Sequence, residues 1–133
     1  MGMRGAISVK EKCYIYFNQE LSWYDAQDYC KTHLYRGTLA EFHTKEEITA
    51  VKSFPKKSFL GFWLGANDLA KKGTFIWMYS GLQIETNHSL WGLHQPDNGG
   101  NKEDCVNLFS TNTMNDYVCS KTLPFLCQTA PYV

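Results

Sequence analysis

Gln95, Asp97, Glu103, Asp104, Asn115 and Asp116 gather side-chain oxygens into two short stretches, QPDNGGNKED at residues 95–104 and MND at residues 114–116. Oxygen donors of this kind suit calcium, which takes about six to eight such ligands at roughly 2.3 to 2.6 Å. No histidine or thiolate is interleaved at ligand spacing, which disfavours zinc and copper. The D-x-D-x-D-G run and terminal Glu of an EF-hand are missing, so a site here must be assembled from loop and strand together. Gln95, Asp97, Glu103, Asn115 and Asp116 would clamp an ion with three formal negative charges and leave coordination positions open for a ligand. A cis bond from Gln95 to Pro96, accessible at small cost only before proline, would turn the chain and aim both flanking side chains at one point. Taken alone, QPDNGGNK also reads as a solvated turn whose polar groups satisfy backbone atoms. The second cluster, set between Cys105 and Cys119, is what makes one site of the two.

Two helices and a set of strands must position these groups. Ser22 caps a predicted helix over WYDAQDYCKTHL with Asp25 three residues on, placing Trp23, Ala26, Cys30 and Leu34 on one face. Thr44 and Glu47 form a capping-box pattern for a second, surface helix with Ile48, Val51 and Phe54 as its buried stripe before Pro55. Both stripes read as core packing. Strand-like runs follow at residues 13–17, 59–66, 74–78, 105–109 and 124–128. With helices early, strands late and no βαβ alternation, the order predicts an α+β fold with an antiparallel sheet. Residues 80–104, rich in Gly, Asn, His and Ser, are longer than an ordinary connection and carry half of the oxygen cluster.

The 133 residues suffice for one core, and 13 basic against 13 acidic side chains leave a formal charge of zero. That balance lacks the footprint of a nucleic-acid or anionic-membrane binder, and no apolar run reaches the roughly 18 residues of a membrane span. Residues 1–12, MGMRGAISVKEK, contain no apolar h-region and read as a leader ahead of the domain at 13–128, with 129–133 as a tail. Cys13, Cys30, Cys105, Cys119 and Cys127 form no CxxC pair and no zinc spacing, so disulfides and a secreted, extracellular location are expected. Asn87-His88-Ser89 is an N-glycosylation sequon, in keeping with a secreted glycoprotein. An enzyme is not expected: Glu103 and Asp104, adjacent on a strand, point to opposite faces and would not converge on one bond. His33, His43, His88 and His94 lie in helix or loop settings that read as surface, without a catalytic arrangement.

CYIYF, WYDAQDYC, GTLAEFHTKEE, FWLGANDL, GTFIWMYSG, WGLHQPD, EDCVNL, MNDYVC and PFLCQ, in this order, resemble the C-type lectin-like domain from Cys13 to Gln128. FWLGANDL stands where that family has its WIGL-type motif. The resemblance implies a looped α+β fold and disulfides joining Cys30 to Cys127 and Cys105 to Cys119. It leaves Cys13 over, as the second cysteine of the family's N-terminal hairpin pair; a free thiol, a thiol truncated away from its partner and a bond to another chain all stay open. It further implies that Gln95, Asp97, Glu103, Asn115 and Asp116 bind calcium and, with it, a sugar. The Q-P-D order, acid and amide exchanged relative to E-P-N, goes in the family with galactose or N-acetylgalactosamine. Three positions depart from the pattern: Gly99 where galactose binders often stack a Trp, Met114 in place of the Trp of W-N-D, and Lys72 with Asn98 in place of acids of the auxiliary calcium site. Asp68, Glu103 and Asp104 remain there, and a single Ca2+ is expected. Trp91 reads as core rather than as a substitute platform. The function expected is that of an animal lectin of innate defence reading terminal galactose on glycoproteins or microbial surfaces. Weak single sites require an oligomer or a multivalent target. The alternative is a domain of this fold that binds a protein partner independently of sugar.

Overall fold

The computed structural model describes residues 3–9, 12–55, 58–93, 95–97 and 102–129. His94, Asn98, Gly99 and the tail from residue 130 therefore lie outside the described residues. Among the described residues the chain forms two helices and nine strands. The first helix, α1 (Trp23–His33), starts where Ser22 Oγ accepts from the Asp25 amide, and it buries Trp23, Ala26 and Cys30 as the spacing predicts. The second, α2 (Lys45–Val51), carries the full capping box: Thr44 Oγ1 accepts from the Glu47 amide, and Glu47 Oε1 accepts from the Thr44 amide. It ends at Val51 rather than Phe54, which is nevertheless buried, in a turn whose Phe54 amide bonds the Val51 carbonyl.

The strands are β1 (Met3–Val9), β2 (Lys12–Leu21), β3 (Thr38–Leu39), β4 (Phe62–Asn67), β5 (Phe75–Trp77), β6 (Gln83–Ile84), β7 (Glu103–Leu108), β8 (Met114–Val118) and β9 (Leu123–Thr129). They make one sheet in the order β1-β2-β9-β4-β5-β6, with β3 added to β9 and the β7–β8 hairpin added to β4. All pairings are antiparallel except β4 with β9, which meet in parallel at Trp63 and Phe125. The α+β class expected from the sequence is the class observed.

Two differences from the sequence expectation have physical causes. Residues 3–9, read as leader, form β1 on the outer side of β2, where Ser8 lies opposite Cys13 and Ile7 packs against the core. The strand expected from Phe59 begins only at Phe62, because Gly61 has φ +66° and a side-chain carbon there would lie 1.7 Å from the Leu108 carbonyl. That close approach is open to glycine alone and docks the start of β4 on the end of β7.

The core has two parts. One, around Tyr14, Tyr16, Phe42, Phe62, Leu64, Trp77 and Met114, fills the space between the sheet, α2 and the long connection. The other lies under α1 and holds Trp23, Trp63, Phe125 and the four paired cysteines. Its indoles are also tied to backbone: Trp23 Nε1 donates to Leu64 O at 2.7 Å and Trp63 Nε1 to Leu21 O at 3.0 Å. The disulfides are Cys30 with Cys127 and Cys105 with Cys119, as the resemblance implies, and Cys13 is free and half-buried.

Candidate metal site

The hairpin of β7 and β8 is the platform. Its register sets Asn107 opposite Asn115 and Val106 opposite Asp116, and the Cys105–Cys119 disulfide closes its open end. The long connection is laid along β8 by backbone bonds: the Met114 amide donates to Leu90 O at 2.8 Å, and the Gly92 amide donates to Met114 O at 2.8 Å. Trp91 and Met114 form a bridge, both buried, and Trp91 sets its ring edgewise on Phe75 while Nε1 donates to Glu85 O. Trp91 is thus core, and Met114 fills the place of the family's Trp without leaving the core.

Past this bridge the chain passes through a cis Gln95–Pro96 bond, the isomer that the sequence raised as a means of aiming both flanking side chains. The Asp97 amide then donates to Asp116 Oδ1 at 3.0 Å, which joins the loop arm to the strand arm. Carboxylate oxygens of Asp97, Glu103 and Asp116 all lie within 4.8 Å of one another, with Asp97 exposed, Glu103 half-buried and Asp116 fully buried. Three carboxylates at this spacing repel one another unless positive charge or protons enter among them. Gln95 Oε1, two residues before Asp97, is buried and has no hydrogen-bond partner among the described residues, an arrangement that costs about 1 to 3 kcal/mol if nothing meets it. Converging carboxylates and an unmet carboxamide oxygen are the hard donor set of a calcium ion, and the residues present fit that ion.

Asn115 is held differently. Its Nδ2 donates to Asn107 Oδ1 at 3.0 Å, and Asn107 Nδ2 donates in turn to Leu60 O at 2.7 Å. Anchoring the carboxamide nitrogen leaves its oxygen as the group Asn115 can offer an ion. Asn107 is fully buried and was not singled out in the sequence, although an amide inside the apolar run CVNLF is the sort of polar interruption that marks such a role.

On the other side of Glu103 lies a second group. The Lys72 ammonium pairs with Asp104, the Asp68 amide donates to Asp104 O at 2.9 Å, and the Gly73 amide donates to Asp68 Oδ2 at 2.8 Å. Burial, together with the neighbouring Asp104 carboxylate, pushes the Asp68 carboxyl above the usual range. For Asp104 burial acts in the same direction, but the hydrogen bond and charge of Lys72 win and hold it below. Lys72, which stands in the sequence where the family's auxiliary site has an acid, therefore places a cation of the chain itself against the acids that remain.

The other sequence expectations fall as follows. Asn87 is exposed in the turn after β6. His33 and His43 are exposed; His88 is half-buried and its Nδ1 accepts from the Leu90 amide at 3.2 Å. No helix among the described residues is long and apolar enough to cross a membrane.

Comparison with known proteins agrees with this fold. A family model described as lectin C-type domain matches residues 19–129. The C-type lectin Cal of Crotalus atrox is 34% identical over 122 residues, covering 87% of this chain and 88% of that one. Salivary C-type lectin 1 of Aedes albopictus is 32% identical over 122 residues, covering 84% and 78%. Among solved structures, the cow C-type carbohydrate-recognition domain of CD23, determined in the presence of a GlcNAc2Man3 oligosaccharide, is 26% identical with a TM-score of 0.82 over 96% of this chain and 95% of that chain.

Proposed function

We propose, on the premise that this chain belongs to the lectin C-type domain family, that it is a calcium-dependent lectin for galactose-type sugars, secreted and acting in glycan recognition. Family membership supports carbohydrate binding; the ion and the sugar class are our reading. The observation that carries the ion is the buried, partnerless Gln95 Oε1 two residues before a carboxylate that converges with two others within 4.8 Å. Gln95, Asp97, Glu103, Asn115 and Asp116 would hold one Ca2+, which when bound supplies open coordination positions to a pair of neighbouring sugar hydroxyls. The side chains do the rest. Asp97, Glu103 and Asp116 accept hydrogen bonds from those hydroxyls, whereas the carboxamides of Gln95 and Asn115 can also donate. The order of amide before acid around Pro96 gives the donor and acceptor pattern that goes with galactose or N-acetylgalactosamine in this family.

Two disulfides and a relative named as salivary support secretion, and a part in innate defence is our reading. Exposed Asn87 is then an acceptor for N-glycan, to be read as a mobility shift on treatment with an amidase that removes such glycans. A single shallow sugar site binds on the order of millimolar, about 4 kcal/mol, so avidity for a glycan surface comes from several sites together. Cys13, half-buried on β2 with Ser8 Oγ 3.5 Å from its sulfur, is one means of linking chains. If wild type and Cys13→Ser both run as monomers in non-reducing electrophoresis, that link is discarded.

The test of the function is retention on immobilised galactose and, in parallel, on immobilised mannose, each with calcium and with chelator. Calcium-dependent retention favouring galactose is expected. Retention favouring mannose would keep the ion and discard the polarity of Q-P-D. No retention on either would favour a protein partner instead.

A further inference from the structure

The segment after β4 and the cis Gln95–Pro96 bond border one cleft of about 170 Å³, lined by Asp68, Lys72, Phe75, Pro96 and Asp116 among others. Asp116 is fully buried, Asp68 nearly so, and Phe75 adds a buried apolar wall. Lys72 is exposed, pairs with Asp104, and brings the one cation among the described lining residues. Hydrogen bonding to Asp104 raises the Lys72 ammonium above its ordinary range, outweighing its loss of water, and the charges of Asp104, Asp68 and Asp116 add to the rise. The last of these links the two groups of acids. Interaction between charges is mutual, so a positive charge that Asp116 already feels opposes a second cation brought to the same carboxylate.

The segment that carries Lys72 is fastened without its ammonium. The Asp68 amide donates to Asp104 O at 2.9 Å and the Gly73 amide to Asp68 Oδ2 at 2.8 Å, which ties both ends of residues 68–73. What Lys72 contributes to its neighbours is therefore charge. We propose that Lys72 sets the calcium affinity of the site formed by Gln95, Asp97, Glu103, Asn115 and Asp116, holding it below what those side chains alone would give. This rests on the calcium reading above and adds a regulation to it. The lysine moves the site's working range to higher calcium, so that bound ligand is released by a smaller fall in the ion.

The test is the affinity for the first calcium ion, read by competition of the full chain with a chromophoric chelator at low and high salt. Lys72→Met should bind that ion about threefold to tenfold more tightly than wild type at low ionic strength, the size of a charge effect acting largely through water. In about 1 M salt, where the Debye length is about 3 Å, the advantage should fall below about twofold. Lys72→Arg keeps the charge and should match wild type. Lys72→Met combined with Asp104→Asn removes one charge of each sign and should also return towards wild type, whereas loss of a structural fastener would leave it altered. The proposal is overturned if Lys72→Met binds the first ion no more tightly than wild type, if its advantage persists in high salt, or if the double variant stays as tight as Lys72→Met. Calcium binding by wild type and Lys72→Met alike would overturn this inference alone; no binding by any variant would overturn the calcium reading and this inference with it.

Discussion

Glu103 and Asp104 are neighbours on β7, yet their carboxylates belong to two different groups. The pairing of β7 with β8 slips in register between Glu103 and Cys105, so this stretch departs from regular alternation. Asp104 meets the ammonium of Lys72 beside the buried Asp68, a group whose cation is part of the chain. Glu103 meets Asp97 and Asp116, a group of three carboxylates, and two residues before Asp97 stands Gln95, whose Oε1 has no partner among the described residues. Lys72 supplies the first group with its charge, and that charge also reaches Asp116, so the two groups adjoin. Where acids converge from a loop and two strands, an ion is what their geometry fits. On the proposed calcium reading, the number of ions follows less from the count of acids than from which of them the chain neutralises itself.

The variant that breaks the comparison most completely is Asp116→Ala. It removes the buried carboxylate and the acceptor of the Asp97 amide, so calcium-dependent retention on sugar should vanish while circular dichroism of the folded chain persists. Calcium added to the wild type at a hundred times its dissociation constant should raise stability by about 2.7 kcal/mol, read as a higher melting temperature. In Asp116→Ala that rise should be absent.

A smaller effect sharpens the contrast from outside both groups. Glu47 is buried, which by itself raises its pKa, but the His43 and Thr44 amides and Lys12 prevail and hold its carboxyl below the ordinary value. A carboxyl lowered by folding contributes stability above its unfolded pKa and loses that contribution as pH falls through the folded one. Glu47→Gln should thus cost on the order of 1 to 2 kcal/mol near neutral pH and flatten the acid limb of the stability profile. Retention per folded molecule should not change. The smallest effect on stability is that of Lys72→Met, whose exposed pair with Asp104 contributes little. With that cation gone, Asp68 and Asp104 should admit a second, weaker calcium ion, counted by titration; two ions in the wild type would refute the role given to Lys72.

Much of this was legible in the residues. Ser22 and Thr44 marked both helix starts because a cap is a local device, complete within four residues. Of the oxygen set, Asp97, Glu103 and Asp116 converge, because calcium chemistry demands particular atoms that can be read off residue types, and Pro96 pointed to the cis turn that precedes the first of them. What escaped depends on partners distant in the chain. MNDYV does not read as a strand until β7 lies beside it, and MRGAISV gave no sign that it would pair with β2. The break at Gly61 is fixed by the carbonyl of Leu108, forty-seven residues away. Asn107 gained its meaning only opposite Asn115, and Lys72 only when β7 brought Asp104 to it.

The central claim is best met by titrating calcium into the metal-free wild-type chain in a calorimeter. One ion per chain, with binding lost in Asp116→Ala, is the result this account predicts. No calcium binding by the folded wild type would contradict it, and with it the assignment of Gln95, Asp97, Glu103, Asn115 and Asp116.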